Sequence, residues 1–159
     1  YLSSSSGFQS AQFRKVEAVL GRRDSKMAGH LPPHVQEEIA AITSGNSIWD
    51  SFLIYVAGRG FTIPTEVLKR PKSIAYESNS EVQDVLLQLH RTDAEAAMVS
   101  ERLVDIDEGI QEWRYRHVKM VERTIGAKMG TGGSSGVQYL AGTLFNPVFK
   151  DLWEIRSRF

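Results

Sequence analysis

A histidine in the middle of an apolar helical stripe is the residue of this sequence whose position most clearly suggests chemistry. It belongs to a series that steps by three or four residues, as one face of an α-helix does, and that consists of Ile106, Ile110, Trp113, His117, Val121 and Ile125. This spacing predicts that the whole series faces inward. Because an inward imidazole carries polar atoms that need partners, His117 is either a core histidine bonded to a backbone carbonyl or a ligand for a bound group.

The charges around His117 favour one kind of bound group. The basic residues Arg114, Arg116, Lys119 and Arg123 flank it, whereas the preceding stretch is acidic. Such a run is usually a solvated helix face, but it also suits a ligand with an apolar body and acidic edges. Haem iron needs one neutral imidazole, whereas zinc needs three or four ligands. Since His30, His34 and His90 lie in no metal-binding motif, the pattern favours haem over zinc.

A glycine-rich segment beyond His117 is the second feature with possible chemistry. Its residues are Gly130, Thr131, Gly132, Gly133, Ser134, Ser135 and Gly136. Glycines let backbone amides approach an anion closely, and Thr and Ser hydroxyls add donors and acceptors. The segment is neither a Walker loop nor a dinucleotide fingerprint, because no Gly-Lys-Ser/Thr follows it and no predicted strand precedes it. It is therefore either a flexible linker or a loop that a ligand orders near His117.

An arginine beside an aromatic residue is the third feature. Arg14 follows Phe13 on a predicted amphipathic helix. A guanidinium is the side chain best suited to bind a carboxylate through two parallel hydrogen bonds. Arg14 is thus either an ordinary surface arginine or a clamp for the carboxylate of a ligand.

The elements that position these residues are predicted to be helices, because the sequence lacks the alternating β-branched runs and tight turns of a sheet. A first helix ends at Gly21, and one of the serines at 3–6 or Ser10 is a candidate N-cap. Its predicted apolar stripe is Phe8, Phe13, Val16, Val19 and Leu20. A second helix is predicted over residues 34–42. Ser47 is predicted to cap a third helix over residues 48–57, whose inward residues are Trp49, Phe52, Leu53 and Val56.

The second half of the sequence continues this all-α pattern. A short helical turn is predicted over residues 66–69. The region from Ser80 to Gly126 is predicted to form one long helix, or two with a bend near Thr92 and Asp93. Two short helices are predicted after the glycine-rich segment, over residues 137–144 and 147–156, with Pro147 in the first turn of the latter.

Composition excludes several classes of protein. Nineteen Lys and Arg residues balance nineteen Asp and Glu residues, so the chain lacks the basic field of a typical nucleic-acid binder. The absence of cysteine excludes disulfides, thiolate nucleophiles and iron–sulfur or Cys-type zinc sites. No apolar run approaches the ~20 residues that span a bilayer. We therefore expect no membrane partner, and a cytoplasmic location by default. The 159 residues predict a single domain, which, because it begins at Tyr1 rather than Met, we expect to be the C-terminal part of a longer chain.

Taken together, these segments resemble the tryptophan 2,3-dioxygenase family. The resemblance covers essentially the whole chain, in order. It rests on Ser6-Gly7-Phe8-Gln9-Ser10 with Gln12-Phe13-Arg14, on Trp113-Arg114-Tyr115-Arg116-His117, on Ile125-Gly126 with Lys128 and the glycine-rich segment, on Tyr139-Leu140, and on Asp151-Leu152-Trp153 with Arg156.

The resemblance implies an all-helical haem enzyme, usually a homotetramer. Enzymes of this family insert both atoms of O2 across the indole C2–C3 bond of L-tryptophan, which gives N-formylkynurenine. By position, His117 would be the proximal ligand of the haem b iron, with Trp113 beside it. Arg14 would bind the substrate carboxylate, with Phe13 next to it, and Thr131 would hold the ammonium or carboxylate end. The loop residues Gly130, Gly132, Gly133 and Ser134 would close over the substrate.

The sequence also departs from the family pattern. Family members carry an N-terminal helical region with a phenylalanine and a distal histidine before the Phe-Gln-Ser segment, and nothing here matches it, so no catalytic distal residue is assigned. Two alternatives therefore accompany the dioxygenase prediction. One is a related haem monooxygenase that acts on a substituted indole or aromatic amino acid in specialised metabolism. The other is a haem-binding helical module without catalysis.

Overall fold

The computed structural model describes residues 2–23, 31–125 and 144–159, and within these ranges all regular structure is helical. This confirms the all-α prediction. The helices are α1 (Leu2–Leu20), α2 (Pro33–Thr43), α3 (Ile48–Gly58), α4 (Thr65–Lys69), α5 (Ser80–Thr92), α6 (Ala94–Ile125) and α7 (Lys150–Glu154), and a 3-10 turn follows at Ile155–Arg158. No helix in the described ranges is long and apolar enough to cross a membrane.

The chain divides into two compact units. Tyr1–Met98 and Val148–Phe159 form the first unit, and Val99–Pro147 form the second. The long helix α6 begins in the first unit and continues through the second.

An aromatic cluster on α3 forms the centre of the first unit. The Trp49 ring lies 5.5 Å from the ring of Phe52 and 5.7 Å from that of Phe149, measured between centroids. Trp49, Phe52, Leu53 and Val56 are all buried, as predicted. Buried aliphatic side chains of α5 and the C-terminal segment complete this core, namely Val82, Leu86, Leu89, Leu152 and Ile155. Burial of these apolar surfaces supplies the main drive for folding.

The start of α3 is fixed by a capping box, as the position of Ser47 predicts. The Ser47 hydroxyl accepts a hydrogen bond from the backbone N–H of Asp50 at 3.0 Å, and the Asp50 carboxylate accepts one from the Ser47 N–H at 2.9 Å. This reciprocal pairing satisfies backbone donors that a helix N-terminus otherwise leaves unpaired.

The same Asp50 carboxylate also holds a distant segment. It accepts hydrogen bonds from Arg70 Nη2 at 2.6 Å and from Lys72 Nζ at 3.3 Å. Burial alone raises the pKa of Asp50, but the hydrogen bonds from Ser47 and the charge and hydrogen bond of Arg70 outweigh burial and lower the pKa below its usual value. Asp50 is therefore ionised at neutral pH and joins α3 to the chain that follows α4.

A second buried carboxylate, Asp151, holds the C-terminal segment against α5. It accepts hydrogen bonds from the Tyr76 hydroxyl at 2.5 Å and from Gln83 Nε2 at 2.9 Å. Burial and this bond raise the pKa of the Tyr76 hydroxyl, which stays protonated and donating. The C-terminal segment is thus attached by a polar group as well as by apolar packing.

Two of the predicted features that follow α3 are confirmed, and one of them is fixed by side-chain bonds. The short helix α4 occurs at Thr65–Lys69. The predicted bend near Thr92 and Asp93 is a break between α5 and α6 at Asp93, whose carboxylate accepts the Ala96 N–H at 3.0 Å and pairs with Arg59 at 2.5 Å. Asp93 therefore follows the end of α5 and caps the start of α6.

Three local predictions are wrong. The helix α1 already includes Leu2, so the serines at 3–6 and Ser10 lie within it and none is its N-cap. Val16 and Val19 are exposed, whereas Glu17 and Ala18 are buried, because α1 packs mainly against α2 along a different face from the predicted stripe. The last helix begins at Lys150, and Pro147 precedes it as part of an irregular segment. The predicted helix 137–144 falls outside the described residues except for Leu144, which lies in a turn.

We predict that Asp50→Asn lowers the free energy of unfolding at pH 7 by about 2–4 kcal/mol, because it leaves Arg70 and Lys72 without their buried counter-charge. The folded-state pKa of Asp50 is below its unfolded value, so its contribution is present above the unfolded pKa and disappears as pH falls through the folded pKa. The loss caused by Asp50→Asn should therefore shrink below about pH 4. Urea unfolding of the full-length protein at pH 7 and in steps below pH 4 measures both effects.

The control is Asp84→Asn, because Asp84 pairs with Arg158 at 2.6 Å on the exposed surface. It should change the unfolding free energy by less than about 1 kcal/mol. Equal losses in the two variants would contradict the central role of Asp50.

Candidate functional site

The pair formed by Trp113 and His117 is the most specific arrangement in the second unit. The two side chains lie one turn apart on α6, and their rings stack with centroids 5.0 Å apart and planes inclined by only 6°. Residues four apart lie next to each other on a helix surface, so α6 itself brings the rings together. The stack restricts rotation of the imidazole and leaves its ring nitrogens at the edge of the pair.

The predicted inward stripe of α6 is wrong in its direction. Ile106 and Trp113 are 42% and 41% exposed, and Ile110, His117 and Val121 are half-buried. The side chain of Ile125 lies outside the described residues. The residues that α6 does bury in the second unit lie on another face and are Ser100, Leu103, Val104, Asp107, Arg114 and Val118.

The buried face of α6 carries two charged side chains, Asp107 and Arg114. Arg114 is buried and donates a hydrogen bond from Nη1 to the backbone carbonyl of Asn146 at 3.0 Å. Asp107, two turns earlier, is also buried. Buried charged groups require such partners, and the Asn146 carbonyl supplies one for Arg114. Ile106 and Trp113 lie with the half-buried His117 on the other, more exposed side of α6.

The electrostatics of His117 suit metal ligation by a neutral imidazole. Burial lowers its pKa below the usual value, because desolvation disfavours the charged ring. No hydrogen bond joins the His117 ring to another group within the residues that the structure describes. That observation does not support the core histidine bonded to a carbonyl. A neutral imidazole can offer a ring nitrogen to a metal ion.

The surroundings of His117 fit haem rather than a metal ion held only by side chains. Within the described ranges no group of three or more His, Cys, Asp or Glu side chains could hold a metal. Haem iron takes four nitrogens from the porphyrin and needs only an axial protein ligand. Ile110 and Val121 add apolar surface near the Trp113–His117 pair, as an apolar macrocycle requires. The donor set and its setting therefore fit a haem group.

The first unit holds the other predicted site residues, Phe13 and Arg14, side by side and half-buried on α1. Arg14 lines a cavity of about 490 Å³ between α1 and α2. Its Nη1 lies 3.4 Å from Oε2 of Glu17, one turn further along the helix. Arg14 thus lies at a cavity wall, as the proposed carboxylate clamp would, and it pairs with a carboxylate of its own helix.

The cavity contains charged residues that sequence reasoning missed. Glu17 is only 3% exposed, and its Oε1 lies 3.4 Å from Nη1 of Arg22, so it stands between two guanidinium groups. The chain turns at Gly21, with φ +138°, and Arg22 N–H bonds back to the Glu17 carbonyl at 2.9 Å. This turn requires glycine because other residues rarely adopt such a φ. The pattern Arg-x-x-Glu followed by Gly-Arg-Arg was the signal available in the sequence.

Thr131 and the loop residues Gly130, Gly132, Gly133 and Ser134 lie outside the described residues. Arg14 belongs to the first unit and His117 to the second. The structure thus brings Phe13 next to Arg14 and Trp113 next to His117.

Comparison with known proteins gives a consistent result. The family model for tryptophan 2,3-dioxygenase matches residues 91–159, which include Trp113 and His117. The tryptophan 2,3-dioxygenase of Anaeromyxobacter dehalogenans is 56% identical over 159 residues, which is 98% of this chain and 59% of that protein. The enzyme of Herpetosiphon aurantiacus is 48% identical, over 98% of this chain and 60% of its own length. That of Myxococcus xanthus is 40% identical, over 98% and 55%. The chain therefore spans somewhat under two thirds of the length of these relatives.

We predict that Glu17→Gln lowers the free energy of unfolding of the full-length protein by about 1–3 kcal/mol, since it removes a buried charge that two arginines share. The matched control is Glu38→Gln, because exposed Glu38 pairs with Lys15 of α1 and joins the same two helices. That variant should change the free energy of unfolding only slightly, because solvent screens an exposed ion pair. Urea unfolding at pH 7 measures both, and a smaller loss in Glu17→Gln than in Glu38→Gln would contradict the assigned role.

Proposed function

Because the chain belongs to the tryptophan 2,3-dioxygenase family, we propose that it functions in a haem-dependent dioxygenase. The reaction is the addition of both atoms of O2 across the indole C2–C3 bond of L-tryptophan, with N-formylkynurenine as the product. The observation that carries the proposal is the neutral His117 imidazole, stacked on Trp113 on an apolar side of α6 and inside the region that the family model matches.

His117 is the residue that would hold haem b, as the proximal ligand of its iron. The lowered pKa keeps a ring nitrogen unprotonated at neutral pH, so its electron pair is available for the metal. Trp113 holds the plane of the imidazole by stacking, which reduces the entropy lost when the ring is fixed. When bound, haem supplies the iron chemistry that activates O2.

Arg14 is the proposed ligand of the substrate carboxylate, with Phe13 beside it. The half-buried position of Arg14 at the cavity wall supports this, because a partly desolvated guanidinium binds a carboxylate more strongly than an exposed one. A fixed carboxylate would orient the indole. Orientation of this kind can lower a reaction barrier by roughly several kcal/mol. Thr131 is proposed to hold the ammonium or carboxylate end, and the loop of Gly130, Gly132, Gly133 and Ser134 to close over the substrate.

The setting of the proposed enzyme follows from the same family membership. We propose a homotetramer in the cytoplasm that takes L-tryptophan and O2 as its partners. Resemblance to the family supports the homotetramer, and a chain without membrane-spanning helices in its described part agrees with a cytoplasmic enzyme.

We predict that the full-length protein, loaded with haem and reduced, converts L-tryptophan under labelled O2 into a product that gains two labelled oxygen atoms. His117→Ala should lose at least about tenfold in haem affinity, because the iron loses its protein ligand, and its Soret band should change. Mass spectrometry and haem titration measure the two effects. A gain of one labelled atom would indicate a monooxygenase, and no product despite bound haem would contradict the proposed reaction.

We predict that Arg14→Ala raises the KM for L-tryptophan by about 10–100-fold, because a charge-assisted bond to the carboxylate contributes about 1.5–3 kcal/mol. Tryptamine, which lacks the carboxylate, separates binding from folding. If Arg14 binds the carboxylate, the variant loses affinity for L-tryptophan and not for tryptamine. If Arg14 only pairs with Glu17, the variant loses affinity for L-tryptophan and for tryptamine alike, and its melting temperature falls. The assignment of Arg14 as the carboxylate clamp is then wrong.

A further inference from the structure

A tyrosine and a carboxylate in the core of the first unit share a short hydrogen bond that the proposed function does not use. The Tyr76 hydroxyl donates to Oδ2 of Asp151 at 2.5 Å, the distance of a charge-assisted bond between an O–H and a carboxylate. Asp151 is fully buried. The phenol proton of Tyr76 therefore already lies beside a base.

A tryptophan that lacks a proton acceptor packs against this pair. The ring of Trp49 meets the ring of Tyr76 edge-on, with centroids 5.5 Å apart, and Trp49 is only 2% exposed. Its indole Nε1 is buried and has no hydrogen-bond partner among the described residues. The two rings thus differ in a property that matters for oxidation, because the phenol of Tyr76 has a base for its proton and the indole of Trp49 has none.

The loss of an electron makes both rings acidic, and only Tyr76 can pass on its proton. An oxidised phenol releases its proton to a base that lies within hydrogen-bond reach. An oxidised indole without such a base keeps both its proton and its positive charge, and burial in an apolar core makes that charge unfavourable. A missing electron is therefore less stable on Trp49 than on Tyr76 with the proton moved to Asp151.

The groups around Asp151 leave its Oδ2 atom open to this proton. Within the described part of the chain its other donors are neutral, namely the backbone N–H of Asn79 and Nε2 of Gln83. The same Gln83 nitrogen also donates to the carboxylate of Glu154, so a proton on Asp151 reduces the repulsion between two neighbouring carboxylates. Burial and the bond to Asp151 raise the pKa of the Tyr76 hydroxyl, which keeps its proton until it is oxidised.

We propose that Tyr76 and Asp151 form a redox site, in which Tyr76 reduces an oxidised Trp49 and gives its proton to Asp151. One electron passes from the Tyr76 ring to the Trp49 ring, the O–H bond of Tyr76 breaks, and an O–H bond forms at Oδ2 of Asp151. The products are neutral Trp49, a neutral tyrosyl radical and protonated Asp151.

The site returns Trp49, the centre of the core, to its neutral state before the indole is damaged irreversibly. Any one-electron oxidant strong enough to oxidise an indole starts the step, and a one-electron reductant such as ascorbate reverses it. The proposal therefore does not rest on the proposed function.

The test attaches a ruthenium polypyridyl photo-oxidant to the full-length protein in the variant Ser51→Cys. Ser51 is exposed on α3, two residues from Trp49, and the 159 residues contain no cysteine that would compete for the label. A flash with an electron acceptor present generates Ru(III), which oxidises Trp49. Transient absorption should show a tryptophanyl radical that gives way to a tyrosyl radical, and ring-deuterated tyrosine should narrow the EPR signal of the product. A radical that stays on tryptophan would overturn the proposal.

Two further substitutions in the labelled protein identify the tyrosine. Tyr76→Phe keeps the ring and removes the hydroxyl, so the radical should stay on tryptophan. The matched control is Tyr55→Phe, because Tyr55 lies one turn from Ser51 on α3 and is the tyrosine that the label could oxidise directly. This variant should still form the tyrosyl radical. A radical that is lost in Tyr55→Phe and kept in Tyr76→Phe would contradict the assignment.

The role of Asp151 as the base is tested by rate. A positioned general base typically contributes a factor of about 10²–10⁴, so Asp151→Asn should slow the transfer from tryptophan to tyrosine by at least about tenfold. Glu154→Gln is the control, since it removes the neighbouring carboxylate and leaves the base in place, and it should still form the tyrosyl radical. Equal rates in Asp151→Asn and in the labelled parent would overturn the proposal.

A solvent isotope effect separates this role from the structural role of Asp151 in holding the C-terminal segment. The labelled parent needs no further substitution for this measurement, so its fold is unchanged. The transfer should be slower in D2O than in H2O, because a proton moves with the electron. Equal rates in the two solvents would show that Asp151 takes no proton in the step, and the proposed site would then be wrong.

Discussion

The ionised Asp50 carboxylate is the constraint on which the first unit depends. It completes the capping box with Ser47, and it binds Arg70 and Lys72 from the segment after α4. The backbone carbonyl of Lys72 in turn accepts a hydrogen bond from Arg23, which follows α1. One buried carboxylate therefore links three segments that are distant in sequence. A buried charge is stable only with several donors around it, so these segments must converge for Asp50 to remain ionised.

The unit uses two other buried carboxylates in the same way, each at a different boundary. Glu17 holds the turn after α1 through Arg14 and Arg22, and Asp151 holds the C-terminal segment through Tyr76 and Gln83. Apolar packing around Trp49 supplies most of the burial but is not directional. The carboxylates add direction, because a hydrogen bond requires a particular distance and angle. They also leave the arginines around them in fixed positions, and the cavity inherits its positive wall from this arrangement.

The helix α6 shows the opposite use of polar and apolar residues. Arg114 and Asp107 are buried, whereas Ile106 and Trp113 are exposed. Exposed apolar side chains are unfavourable for a helix that meets only water. Large apolar patches on a protein surface tend to mark a binding surface. The pattern of α6 is consistent with a helix that presents His117 and its apolar neighbours to a macrocycle. The acidic first half and basic second half of α6 are mostly exposed, as in a solvated helix face.

The sequence by itself determined the features that depend on neighbouring residues. The helical class, the Ser47 cap, the break at Asp93 and the pairing of Trp113 with His117 follow from spacing along one chain segment, since a helix brings residues four apart together wherever it lies. Only the tertiary structure decided which face of each helix is covered. Periodicity defines a stripe but not its partner, and for this reason the predicted inward stripes of α1 and α6 were wrong. The cavity likewise could not be predicted from the sequence. Arg23, which lines it, bonds to the backbone carbonyl of Lys72, 49 residues away, and Lys72 in turn pairs with Asp50, so these groups meet only in the folded chain.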